Sequence, residues 1–317
     1  MSVRPSILCP IDYSEASAAA LRYAAAVAEH FATRLIVLTV EDPMLTAALD
    51  LGTGSHWTRE ASESEIAAFV ARTFADDPAM LAMCDYDVAV GRPAVEILRV
   101  ARKRSCDLIV MSSHGLSGAR KMFFGSTTER VLRETPIPVL VTPPVNPGRI
   151  RIEEARRLVR RVIVPVDLSP ASLHQAQVAM GLAEALDVSV VLVHVIEPIK
   201  SHLLRARVPR VDAERRSVAE EALAELVATL ETKRPEALIA FGDPAEEASK
   251  VVRNRQAGLV VMGLHGSPLL GPRMGSVTYR LLCLAETLVL ALPPRVTEAA
   301  HHQASVSANV GAHPQEH

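Results

Sequence analysis

Aromatic side chains are scarce, at 3% of 317 residues. The core of such a chain must be aliphatic, and few flat rings remain for stacking the bases of single-stranded nucleic acid. Charge of one sign is missing as well: 34 Lys and Arg against 36 Asp and Glu leave a net charge of -2, which attracts no polyanion in general. Nucleic acid is therefore excluded as the expected partner. No apolar run approaches the roughly 20 residues that cross a bilayer. The opening MSVRPSILCPID turns into a strand pattern before a signal-peptide core could form, so no membrane partner and a cytoplasmic location are expected. Cys9, Cys84, Cys106 and Cys283 lie far apart, with no CxxC or zinc-type spacing, which reads as buried reduced thiols. Four motifs are also absent: GxxxxGK[ST], HExxH, GxGxxG and GxSxG. P-loop hydrolysis, zinc proteolysis, dinucleotide redox chemistry and a nucleophile elbow all lack their parts.

What is present is a duplication. The length suits about two domains of ~100–200 residues each. Ser6–Ile11 reads as a buried strand ending at Asp12, and Ser14 as the N-cap of a helix with apolar residues from Ala18 to Phe31 at helical spacing. Leu35–Val40 is a second strand, and a less regular stretch from Glu41 to His56 leads to a helix around Ala61–Phe74. Val88–Val90 is strand-like, Gly91-Arg92-Pro93 opens a helix, and Asp107–Met111 is a fourth strand. A glycine-bearing loop, a helix from Ser126 and a fifth strand, Ile137–Thr142, follow. Pro138 suits an edge position in that strand. The order then restarts at Arg161: Asp167 and Ser169 repeat Asp12 and Ser14 at the same spacing, and Gly242-Asp243-Pro244-Ala245 repeats Gly91-Arg92-Pro93-Ala94. The expected division is 1–143, a linker at 144–160 whose alternating charges read as a solvated helix, a second domain at 161–294, and a disordered tail at 295–317. Strands alternating with helices predict an α/β fold with a parallel sheet covered on both faces.

The loop Met111–Ser126, MSSHGLSGARKMFFGS, is the chemical centre of the first half. Gly115 and Gly125 lack a Cβ and are free to take positive φ, and a helix start follows, so main-chain N–H groups can approach a phosphate. Gly263, Gly266, Gly275 and Ser276 repeat the arrangement. Ligands of open α/β sheets bind beyond the carboxyl ends of strands where strand order reverses. That rule selects Pro10, Asp12, Val40 and Met111 in the first half, and Pro165, Asp167, Val195 and Met262 in the second. Asp12 and Asp167 could instead simply cap the following helices, and Gly125-Ser126 and Gly275-Ser276 could be turn-plus-cap signals. His114 and His265 read as surface-loop residues rather than catalysts, and Arg120, Lys121 and Arg273 as solvated charges.

The set resembles the universal stress protein family, specifically its tandem-domain, ATP-binding branch, over nearly the whole chain except linker and tail. The family's phosphate motif is G-x2-G-x9-G-[ST]. In the first copy Gly115, nine intervening residues and Gly125-Ser126 match, with Ser112 where the first glycine belongs. In the second, Gly263 and Gly266 are present, but eight residues separate Gly266 from Gly275, and Pro268 and Pro272 stiffen the loop. The resemblance implies two tandem adenine-nucleotide-α-hydrolase-like, Rossmann-like domains, each an open five-stranded parallel sheet flanked by helices. It implies that the backbone of Val40 or Val195 meets adenine, with Asp12 or Asp167 on the adenine and ribose side. Gly115, Gly125, Ser126, Thr127 and Thr128, or Gly266, Gly275, Ser276, Val277 and Thr278, would hold phosphates. ATP is the implied cofactor, with Mg2+ bridging its phosphates without dedicated protein ligands. The implied role is a nucleotide-dependent stress-response or signalling module with little or no turnover, acting on an unknown protein partner. The halves would pack as an intramolecular pseudo-dimer through their fifth strands, with a further homodimer open. A structural dimerising protein without nucleotide and a weak ATPase are the alternatives.

Overall fold

The structure is a computed structural model and describes residues 6–44, 58–113, 125–143, 157–199, 208–230, 234–264, 274–284 and 286–294, with the side chains of 208–210 left aside. The first half runs β1 (Ser6–Ile11), α1 (Glu15–His30), β2 (Arg34–Glu41), α2 (Arg59–Thr73), a 3-10 turn (Pro78–Met83), β3 (Cys84–Val90), α3 (Pro93–Lys103), β4 (Leu108–Ser112), α4 (Ser126–Glu134) and β5 (Val139–Thr142). The second repeats it: β6 (Arg161–Pro165), α5 (Pro170–Leu186), β7 (Ser189–Ile196), α6 (Val208–Ala228), β8 (Glu236–Phe241), α7 (Pro244–Asn254), β9 (Leu259–Gly263), α8 (Ser276–Leu284) and β10 (Leu288–Leu292).

Backbone punctuation repeats with the elements. Left-handed residues follow four helices in matched pairs: Ala32 and Asp187 after α1 and α5, Ser105 and Gln256 after α3 and α7. Such residues turn the chain out of the helix and start the return to the sheet. Gly91 (φ 150°) and Gly242 (φ 144°) stand at the turns into α3 and α7, in a region L side chains rarely adopt. The short helices that follow begin with Pro93 and Pro244, whose missing N–H is no loss at a helix start.

The sheet is ten-stranded, in the order β3-β2-β1-β4-β5-β10-β9-β6-β7-β8. All pairings are parallel except β5 with β10, where Val139, Leu140 and Val141 face Ala291, Leu290 and Val289. Leu140 and Leu290 are equivalent residues, so a pseudo-two-fold axis passes through that pair. The fifth strands thus join the halves, and the carboxyl ends of β1–β5 point opposite to those of β6–β10. Strands buried on both faces explain the near-continuous apolar runs. Leu21, Ile66, Phe69, Val164 and Leu192 pack on one face, and Leu38, Ile97, Leu132, Ile163 and Leu281 on the other.

The structure departs from or adds to the sequence reading at four places. Pro138 does not mark an edge: it precedes β5, accepts a bond from the Ile109 N–H (3.1 Å), and leaves β5 interior between β4 and β10. β3 is longer than Val88–Val90, because its Asp85 and Asp87 break the apolar pattern. Those carboxylates guard an edge strand, Asp85 meeting Arg34 and Arg104 and Asp87 meeting Arg59. The 3-10 turn, whose Met80 is buried against α1, has no periodicity to announce it. The described end of the linker is helical at residues 157–159 and mostly exposed, as a solvated helix would be, but Val159 is buried and anchors it, while 144–156 and the tail from 295 lie outside the described residues.

That anchor depends on Gly258. Its N–H donates to the Val159 carbonyl at 2.8 Å. A Cβ built on Gly258 would sit 1.9 Å from the Leu158 carbonyl oxygen and 2.5 Å from the Val159 Cα, both main-chain atoms. Gly181, in the exposed face of α5, meets nothing within 4 Å. We expect Gly258→Ala to lower unfolding stability in urea by about 1–3 kcal/mol, and Gly181→Ala to raise it by about 0.5–1 kcal/mol.

Candidate functional site

Strand order reverses between β1 and β4, and again between β6 and β9. Here the sheet comes apart. β1 pairs with β2 along its whole length, Ser6 to Ile11, but with β4 only through Ile7–Leu108 and Leu8–Ile109. β6 pairs with β9 only through Val162–Leu259 and Ile163–Val260. Proline accounts for the limit. Ile109 turns its N–H toward β5, so its partner Leu8 is the β1 residue that exchanges main-chain bonds with β4. Alternation makes Pro10 the next to face β4, and it has no N–H to give. In the second half Val166 donates to the Val193 carbonyl of β7 (2.9 Å), so Pro165, one residue earlier, faces β9. Each ladder thus ends before its proline, at the place where open α/β sheets form their ligand crevice.

One wall is the turn after β1 or β6. Tyr13 (φ 61°) and Leu168 (φ 60°) are left-handed in both copies, a conformation that side-chain-bearing residues resist and that clusters at functional turns. Asp12 Oδ1 accepts the Ser14 N–H (3.2 Å) and Ser14 hydroxyl (2.5 Å). Asp167 Oδ1 accepts the Ser169 N–H (3.0 Å) and the Ser172 hydroxyl (2.9 Å). Each aspartate therefore holds the turn before its helix rather than capping the helix, whose N-cap residues are Ser14 and Ser169. Partial burial pushes the Asp167 carboxyl upward, but hydrogen bonds from Ser169 and Ser172 outweigh it and hold the group below its ordinary value. Val40 and Val195 stand half-buried at the ends of the neighbouring strands, beside Ala89 and Ala240.

The other wall is the end of β4 or β9 and the helix behind it. Met111 and Met262 are core side chains, so only their main chain borders the crevice. Ser112 and Gly263 end their strands, and neither has positive φ, so serine at 112 imposes no backbone strain. Thr128 Oγ1 donates to the Ser112 carbonyl (2.9 Å) and Thr278 Oγ1 to the Gly263 carbonyl (3.1 Å). Both threonines are buried, so they fasten helix to strand end rather than face a phosphate. Gly125 donates to the Ser113 carbonyl (3.1 Å) and Gly275 to Leu264 (3.3 Å).

Gly125 does not use positive φ: it lies at φ -60°, ψ 133°, the ordinary N-cap conformation. Its lack of a side chain matters for a different reason. Ser14, Thr58 and Asp243 cap their helices with side-chain oxygens, whereas no side chain caps α4. Glycine leaves the first-turn amides, those of Ser126, Thr127 and Thr128, without the internal acceptor an Asp or Ser would supply. Ser126 and Ser276 are exposed, and Thr127 and Val277 half-buried. Gly115, Gly266, His114, His265, Arg120, Lys121, Pro268, Pro272 and Arg273 lie outside the described residues.

Two participants escape the sequence reading. Ser17 and Ser172 complete a repeated D-x-S-x-x-S, Ser17 Oγ lying 3.4 Å from the Asp12 nitrogen. Aligning the halves would have exposed that third position. His194 replaces Thr39, and its Nδ1 lies 2.9 Å from the Val166 carbonyl, next to Asp167. No group of His, Cys, Asp and Glu arranged to hold a metal occurs among the described residues. Two cavities, of about 150 and 590 Å³, lie at the amino ends of the second-half strands, away from both crevices.

The Asp167 shift carries a sign. A depressed folded-state pKa adds stability that is present above the unfolded value of about 3.9 and lost as pH falls through the folded value. Asp167→Asn should therefore melt below the parent at neutral pH, and the gap should close only under strongly acidic conditions, as followed by circular dichroism at stepped pH.

Two stretches, residues 4–143 and 159–293, match the model of the universal stress protein family. Universal stress protein MJ0577 of Methanocaldococcus jannaschii is 37% identical over 59 residues, 19% of this chain and 36% of the relative. A second protein of that organism, universal stress protein MJ0531, is 28% identical over 139 residues, 43% of this chain and 79% of the relative. A Thermus aquaticus universal stress protein is 45% identical over 51 residues, 16% of this chain, and like MJ0577 it is matched over little more than a third of its own length, 37%. Among solved structures, a universal stress protein of Archaeoglobus fulgidus DSM 4304 superposes with a TM-score of 0.59 at 18% identity, over 91% of this chain and 96% of the other. Protein PA1789 of Pseudomonas aeruginosa PAO1 superposes with a TM-score of 0.62 at 16% identity, over 97% and 98%. At those identities the superpositions establish the fold, and the two family matches establish descent: the chain belongs to the universal stress protein family and carries its domain twice.

Proposed function

We propose that this protein binds an adenine nucleotide, ATP with Mg2+, in a crevice beyond Pro10 or Pro165, and acts as a nucleotide-dependent stress-response or signalling module. The observation that carries the reading is the pairing of a ladder cut short at proline with a helix whose first turn no side chain caps. A flat base and sugar would lie in that gap between strand ends, and the uncapped amides would offer donors, at the positive end of a helix dipole, to phosphate oxygens. Asp12 and Asp167 bring carboxylate acceptors for ribose hydroxyls or the adenine amino group, and the main chain of Val40 or Val195 borders the base. The phosphate donors are the amides of Ser126, Thr127 and Thr128 and the Ser126 hydroxyl, with Ser276, Val277 and Thr278 as second-half counterparts. Gly115 and Gly266 join that set by their place in the motif.

Mg2+ would sit on phosphate oxygens and water, as a hard cation with few protein ligands does. It would supply charge neutralisation along the triphosphate. Turnover is little or none, because phosphoryl transfer needs a positioned nucleophile as well as charge stabilisation. The nearby carboxylates, Asp12 and Asp167, are engaged in their turns on the nucleoside side.

Calorimetric titration with Mg·ATP, together with identification of any nucleotide released on denaturation, tests the reading. Gly125→Asp puts an anionic acceptor over the first-turn amides. We expect it to fold with an unchanged or higher Tm and, in the crevice that dominates binding, to weaken ATP by at least about tenfold. Gly275→Asp is the second-half counterpart. ATP bound with unchanged affinity by the double variant would refute the proposal.

A further inference from the structure

The halves share a backbone but not the charges on the rim of the crevice. In the second half Asp243 is the N-cap of α7, accepting the N–H groups of Ala245 (3.1 Å) and Glu246 (3.2 Å). The same aspartate grips Arg280 of α8 (2.6 Å), whose second nitrogen reaches Glu246 (3.3 Å). That arrangement measures reach: a side chain at the start of α7 touches one standing five residues beyond the glycine that opens α8. The first half differs at two of these three positions. Arg92 replaces Asp243, Val95 replaces Glu246, and Arg130 matches Arg280.

Three consequences follow from those replacements. Arginine offers no acceptor, so α3 begins without a side-chain cap, whereas α7 is capped. Arg92 is exposed and makes no ion pair among the described residues, and Arg130 lies along its own helix toward Glu134 (3.1 Å). The first rim therefore presents the Arg92 guanidinium and two helix starts without a side-chain cap, α3 and α4, while Arg130 is paired with Glu134. The second presents two carboxylates around one guanidinium, whose donors they already occupy. A multiply charged phosphate ester gains at the first rim and is repelled at the second.

We infer that the two crevices are unequal: the polyphosphate ligand goes to the first, Arg92 is the residue that selects it, and the Asp243–Arg280–Glu246 cluster turns polyphosphates away from the second. The inference rests on the nucleotide reading above and adds which site is used and by what charge. Arg92 contributes to recognition of phosphate rather than nucleoside, so ATP and adenosine should respond differently to its loss.

The test uses the full chain, titrated calorimetrically with Mg·ATP and with adenosine, and photolabelled with 8-azido-ATP followed by peptide mapping. The wild type should bind one ATP per chain and carry the label on first-half peptides. Arg92→Asp recreates the Gly-Asp-Pro-Ala sequence that already folds at Gly242–Ala245, so a folded variant is expected. It should weaken ATP at least about tenfold, the size of one charge-assisted contact, and change adenosine affinity less than about twofold. Arg92→Gln should lie between. Two equal ATP sites, label on second-half peptides, or unchanged ATP affinity in Arg92→Asp would overturn this inference while leaving nucleotide binding intact. Failure of the wild type to bind either ligand would overturn both.

Discussion

A β-strand extends its ladder only while each inward-facing residue can donate a hydrogen bond. Pro10 and Pro165 remove that donor at the same place in the two halves, two residues after the last shared pairing with β4 or β9. Because strand order reverses there, no other strand is available to close the opening. Everything proposed for the site is built around that gap: the turns that carry Asp12 and Asp167, and the uncapped α4, whose start is tied to the end of β4 through Gly125 and Ser113. A fully paired sheet would have brought the ends of β1 and β4 together and left no crevice between them.

The joint between the halves imposes a second constraint. Antiparallel pairing of β5 with β10 makes one continuous sheet and two continuous apolar layers, so the halves share a core. It also directs the two crevices to opposite ends of the sheet, so no single small ligand can bridge them. Duplication under these conditions leaves the scaffold symmetric while the rims are free to diverge. The matched left-handed residues mark what stayed the same; Arg92 against Asp243 and Thr39 against His194 mark what changed.

Much of this was legible in the chain itself, because buried parallel strands and amphipathic helices write strong apolar patterns. β1, α1 and the helix starts at Pro93, Ser126, Pro244 and Ser276 stand where periodicity and turn chemistry put them. The misreadings came where a residue type has two meanings. Pro138 was consistent with an edge, but it precedes its strand, where a missing N–H has no ladder bond to lose. Gly125 suggested positive φ, but its value lies in having no side chain to compete for the helix amides. Thr128 and Thr278 looked like phosphate donors, and hydroxyl direction, which depends on the neighbouring carbonyl, is not written in a motif. Asp85 and Asp87 hid most of β3, since edge charges erase the alternation by which strands are recognised.

Hydrogen–deuterium exchange with and without saturating Mg·ATP tests the central claim most directly, since that claim assigns ligand contact to particular main-chain amides. Slowed exchange is expected in peptides spanning residues 10–14 and 125–130, the two walls of the crevice beyond Pro10. Unchanged exchange there and beyond Pro165, with protection confined to the cavity lined by Met180, Asp187, Arg234 and Glu236, would contradict the account.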